Sequence, residues 1–281
     1  MEKINLKGII WFIALTYIPT IIFSVFLWGS SINFNNPEQT AYRNILAIVM
    51  FFPLISALIV KKFILHESLK SKYFKRGKPL DYVKTGLFIP LLFILVYGLT
   101  SLLYKPDLEM QQFMSTYGVT SLPMPALLFI LVIFLSTITI APILNIIPSF
   151  GEEFGWRGFL LPHLLPLGRK RALIISSLIW ACWHLPFIWL LGFGGYYNPF
   201  IGGFIYVTVV TCLGIYIGNK TIENKSVLLA SYMHGVFNAQ GYGIWSMIFF
   251  GINPMIGGIA GLISLVVFIP LAIFTLYKTS S

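Results

Sequence analysis

Eight apolar runs, each long enough to cross a bilayer, alternate along this chain with short connections that hold nearly all of its charge. The runs occupy about 8–29, 41–60, 85–104, 126–147, 172–191, 200–218, 227–250 and 255–277. A helix spanning the hydrocarbon core needs roughly 20 such residues. Inside lipid every backbone N–H and C=O must be satisfied within the protein, which leaves helices as the natural answer for runs of this length. The expected fold is therefore all-α, a polytopic integral membrane protein with about eight transmembrane helices forming one unit over 1–281. Composition agrees: 57% of residues are apolar and 10% charged, against roughly a quarter charged in an ordinary soluble domain.

The net charge of +10 raises the question of nucleic acid, and the placement of the charges answers it. With the N-terminus inside, the inner connections hold Lys3, Lys7, Lys61, Lys62, Lys70, Lys72, Lys75, Arg76, Lys78, Lys84, Arg157, Arg169, Lys170, Arg171, Lys220, Lys225 and Lys278. That is 17 of the 19 basic residues, leaving Arg43 and Lys105 outside. Such asymmetry is what sets membrane orientation. It predicts a multi-pass protein of the cell membrane with both termini cytoplasmic, the lipid bilayer as its first partner and no nucleic-acid partner. The longest inner connection, 61–84, is expected to lie along the membrane surface, where its charges suit anionic lipid. Cys182 and Cys212 fall inside apolar runs and read as small buried hydrophobes, not a disulfide. The basic start followed by a long apolar run without a small-residue cleavage site reads as a retained first span, not a signal peptide. Gly214 with Gly218, and Gly257 with Gly261, have the spacing that lets helices approach closely.

A few strongly polar residues remain near or within the runs: Glu152, Glu153, Arg157, His184, His234 and Asn238. An ionisable group in the hydrocarbon core costs roughly 2.5–3.5 kcal/mol or more, so it faces protein or a wet cavity and usually has a task. On a helix Glu153 and Arg157 are four apart and pair, whereas Glu152 is turned by about 100° and stays free. His184 lies 12 residues beyond position 172, roughly 18 Å deep, with Pro186 breaking the helix just past it. His234 and Asn238 share one helix face. Together they suit a carbonyl oxygen that becomes negative during hydrolysis, or a metal. Each feature alone also has a plain reading, as a solvated helix end or an interhelical polar clamp. One shared polar cavity accounts for all of them.

Glu152-Glu153-x-x-x-Arg157, then His184, then His234-x-x-x-Asn238, each on a separate late run, resembles the CPBP intramembrane protease family. That group includes the type II CAAX prenyl endopeptidases and the bacterial Abi proteins linked to bacteriocin processing and self-immunity. Each short motif is weak alone, and the ordered set is fairly specific. The resemblance implies a catalytic core over about 126–250. It also implies that Glu152 and His184 activate water, that His234 and Asn238 stabilise the oxyanion, and that Glu153 and Arg157 support them. One departure is visible: Trp180 stands where the resembled pattern has phenylalanine, four residues before the histidine.

The implied activity is hydrolysis of a peptide bond near the cytoplasmic face, in a membrane-associated peptide or a lipidated protein such as a prenylated CAAX substrate. Whether Zn²⁺ takes part stays open at this point. Glu152, His184 and His234 form a ligand set with room for water, and the same residues also work as base and oxyanion donors without metal. Cys182 as nucleophile with His184 is a third route, disfavoured because residues two apart on a helix point nearly opposite ways. The other readings are a non-catalytic scaffold or self-immunity protein, and a proton-coupled transporter; the transporter reading calls for an internal repeat, which is not seen. A tension remains in depth. Glu152 falls past the inner end of its run and His184 near mid-membrane, so the helix carrying Glu152 must tilt, run long or re-enter, with Pro148 the expected break.

Overall fold

The computed structural model describes residues 4–69 and 73–279. Lys3, Lys70 and Lys72, three of the charges used for orientation, lie outside the described residues. The described chain is built of helices, and it is an all-α membrane protein. Among the described residues five helices are long and apolar enough to cross a membrane: α1 (Leu6–Gly29), α2 (Leu46–Ile64), α3 (Pro79–Thr100), α7 (Arg169–Leu191) and α8 (Pro199–Asn224). A short α4 (Gln111–Tyr117) precedes the bent pair α5 (Ala126–Ile138) and α6 (Ile140–Leu167), which together pass the same test. Then come α9 (Val227–Gly241), a single turn and more in α10 (Ile244–Ile248), and α11 (Leu262–Lys278).

Each of the eight expected runs thus contains helix, but only six reach full spanning length, the bent pair counting as one. The last two runs are shorter than expected for local reasons. The run at 227–250 is interrupted at Gly241-Tyr242-Gly243, where Tyr242 ends α9. The run at 255–277 becomes helical only from Leu262, after turns at Gly251, Pro254, Gly257 and Gly258. Gly257 and Gly261 accordingly lie before the helix and do not form the helix-packing pair expected of them. Gly214 and Gly218 do: a Cβ on either would come within 2.8 Å of Ser177 or 2.9 Å of Leu173, so α8 lies backbone-close to α7.

Prolines set the shape of the helices that matter. The bent pair turns by 42°, and its break falls at Thr139, not at the expected Pro148. Pro142 explains the position. It has no N–H for the carbonyl of Ile138, and its ring crowds that carbonyl. Beyond the break α6 runs long, with Glu152 and Glu153 in its buried half. Gly155 lets α6 sit against α2, where an added Cβ would be 2.4 Å from Pro53. Gly235 on α9 likewise faces the Pro142 carbonyl, 2.9 Å from where a Cβ would stand. These close approaches fix α6 between α2 and α9.

Candidate functional site

Pro162 continues the same logic at the end of α6. Without a proline N–H for Gly158, the ladder widens into a π turn over Trp156–Leu160, with the Leu161 N–H on the Trp156 carbonyl. Such turns recur at functional sites. Arg157 lies within it, 2% exposed, and its Nη1 donates to Oε1 of fully buried Glu153 at 2.9 Å. The pair expected from the i, i+4 spacing is present. The same Glu153 oxygen also accepts from Nδ1–H of His234 on α9 at 2.9 Å. One carboxylate oxygen therefore holds a cation and an imidazole together. Its second oxygen, Oε2, is buried with no partner among the described residues.

His184 sits at a break in α7, where Pro186 withholds a hydrogen bond from Cys182 and the chain turns at Trp183 and His184. Its Nδ1–H donates to the Trp180 carbonyl at 3.1 Å. A neutral imidazole whose Nδ1 is the donor carries its lone pair on Nε2. The same holds for His234. Both rings thus present an uncommitted Nε2 when neutral.

Trp180 is where these groups meet. Its Nε1–H donates to Oε2 of Glu152 at 2.7 Å. The Arg157 guanidinium lies over its face, 4.0 Å from the ring centroid, a favourable placement for a cation. The rings of His184 and His234 contact it edge-on at 5.7 and 5.4 Å. Glu152, on α6, and His184, on α7, therefore lie against the same indole, and α6 continues to Leu167, well beyond the end at 147 expected of that run. Asn238 stands apart from this contact set. It is half-buried on α9, one turn beyond His234, and its amide makes no hydrogen bond to another described residue.

Three features go beyond what the sequence predicts. The sequence gives Trp180 no part beyond that of an aromatic substituted for phenylalanine, although its spacing of four from His184 already puts both on one face. Glu153 serves two partners, and nothing local in sequence reveals the second. Tyr206 on α8 contacts the His184 ring at 5.3 Å. A tyrosine in an apolar run gives no signal of such a placement.

The metal reading does not fit the side chains as arranged. Among the described residues no three His, Cys, Asp or Glu groups are positioned to hold an ion. Both imidazoles keep Nε2 uncommitted, as ligating histidines do, and Glu152 keeps Oε1 open, but the three groups are not brought together closely enough to share an ion. Glu152 Oε2 is taken by the indole N–H. A zinc route would need these side chains rearranged.

Residues 125–240 match the family model described as type II CAAX prenyl endopeptidase Rce1-like. This segment is Rce1-like. The family expected from the motifs is the family matched, and the Rce1-like segment contains all six polar residues singled out above. No curated protein matches the chain.

Proposed function

We propose that this protein is an intramembrane endopeptidase that hydrolyses a peptide bond in a membrane-associated peptide or CAAX-type lipidated protein, close to the cytoplasmic face. The observation that carries this reading is the gathering of Glu152, His184 and His234, from three different helices, around Trp180. Three such groups in apolar helices would each be costly without a task. The match of residues 125–240 to an Rce1-like endopeptidase family supports the same conclusion.

Glu152 is the general base. Its carboxylate takes a proton from water, and the water oxygen adds to the scissile carbonyl. The Nε2 of His184 orients that water as a second acceptor. In its imidazolium form, with Nδ1–H kept on Glu153, His234 donates from Nε2–H to the oxyanion beside Asn238, and electrostatic help of this kind is often the largest catalytic contribution. Collapse of the intermediate breaks the C–N bond, and the proton held by Glu152 passes to the leaving amine. Glu153 and Arg157 hold His234 in place. The catalytic core is the segment 126–250. Both termini face the cytoplasm, and the basic connections hold that face against anionic lipid.

Purified protein incubated with a panel of lipidated and leader-bearing peptides tests the proposal. Cleavage of at least one peptide by the wild type, abolished in Glu152→Ala, is the expected result. A Glu152→Ala variant that cleaves as fast as wild type overturns it, and so does a biological effect that survives this substitution.

A further inference from the structure

Glu152 and Glu153 are adjacent in sequence, yet their oxygens are used differently. Glu153 Oε1 takes two donors. Glu152 takes one donor on Oε2, and its Oε1 makes no hydrogen bond to another described residue. A carboxylate's last torsion is soft and nearly two-fold, so an unanchored Glu152 would interchange its oxygens and swing. The Trp180 N–H removes that freedom by holding Oε2 at 2.7 Å.

The anchor is itself rigid. Trp180 is 2% exposed, with a guanidinium on its face and two imidazoles packed edge-on against it. It also lies at the position where the chain departs from the resembled pattern, and the departure adds a donor that phenylalanine lacks. An indole nitrogen can only donate, so it matches an ionised carboxylate.

Resting on the protease reading above, we propose that Trp180 is a positioning residue: its indole N–H pins Oε2 of Glu152 and leaves Oε1 as the oxygen that takes the water proton. The ring does a separate job, covering Arg157 and spacing the two histidines. The two jobs can be parted. Trp180→Phe keeps an aromatic face and loses the N–H. Replacement of Trp180 by 3-benzothienylalanine, in which sulfur takes the place of the N–H, keeps the bicyclic shape as well.

Both variants are purified and assayed for peptide cleavage beside wild type and Glu152→Ala, with thermal unfolding followed in the same detergent. The expected result is a kcat lower by about 10- to 100-fold with KM within about twofold, and an unchanged melting temperature for the benzothienyl variant. A benzothienyl variant with wild-type kcat overturns the assignment, as does one in which KM alone changes. Should Trp180→Phe fail to fold, the benzothienyl protein decides. Glu152→Ala separates the two proposals: if it retains activity the protease reading itself falls, and if it is inactive while both Trp180 variants are fully active only the positioning role falls.

Discussion

Glu153 and His234, 81 residues apart in sequence, share a 2.9 Å hydrogen bond between buried atoms. The bond joins α6 to α9, and because Arg157 donates to the same oxygen, three groups stand or fall together. In a low-dielectric interior a charge that loses its partner is expensive, typically about 3–5 kcal/mol, whereas removing both members of a pair costs far less.

The first prediction follows from that asymmetry. Arg157→Leu leaves Glu153 facing only an imidazole and lowers stability by about 3–5 kcal/mol. The double variant Glu153→Leu with Arg157→Leu loses less than the single one. Equilibrium unfolding in detergent, arranged as a double-mutant cycle, checks the order. A double variant less stable than Arg157→Leu contradicts it.

Gly235 carries a second prediction. Its missing side chain lets α9 approach the Pro142 carbonyl, where a Cβ would sit at 2.9 Å. Backbone cannot yield as a flexible side chain does, so Gly235→Val pushes α9 away and carries His234, the adjacent residue, with it. Cleavage should drop by about 100-fold or more, since displacements near 1 Å have that effect on a pre-organised site. Gly241→Val, with nothing near its Cβ position, should stay within a few-fold of wild type.

Gln240 ties α5 to the rest. Its amide donates to Thr137 Oγ1 and accepts from the Trp245 indole, both at 2.7 Å. Gln240→Leu leaves two polar groups without their partner and should cost about 1–2 kcal/mol, the range for interhelical hydrogen bonds in membrane helices. Hydrogen exchange should rise in α5, which exposes much of its surface, before it rises in α8. Uniform protection across both helices contradicts this.

The orientation read from the loops predicts a labelling pattern. Cysteines introduced at Lys7, Lys170 or Lys225 should resist a membrane-impermeant thiol reagent applied from outside, and one at Lys105 should react. The reverse pattern inverts the topology.

Much of this protein is legible from its letters. Apolar runs and basic connections announce a membrane helix bundle, because an unpaired backbone in lipid is too costly to admit many alternatives. The motif residues announce where buried polar side chains gather, around Trp180, since polar groups in such runs are costly. What stays hidden depends on long-range contact. The bond of Glu153 to His234 needs α6 and α9 side by side, and only the packed structure supplies that. The break at Thr139 differs from the expected one at Pro148 because proline disturbs the helix about one turn ahead of itself, and Pro142 is the one that matters. The shortened last helices are masked by composition: apolar turns around Gly251 to Gly261 look like span when only hydropathy is counted.

Substituting Glu152 by Gln is the most direct measurement of all. The amide keeps the shape of the side chain and an oxygen to accept the Trp180 N–H, and it removes only the ability to take a proton. Cleavage of a substrate peptide by this variant should be slower than wild type by at least about 100-fold, as expected for loss of a general base, with melting temperature and peptide binding retained. A Glu152→Gln protein that cleaves within a few-fold of wild type contradicts water activation by this residue.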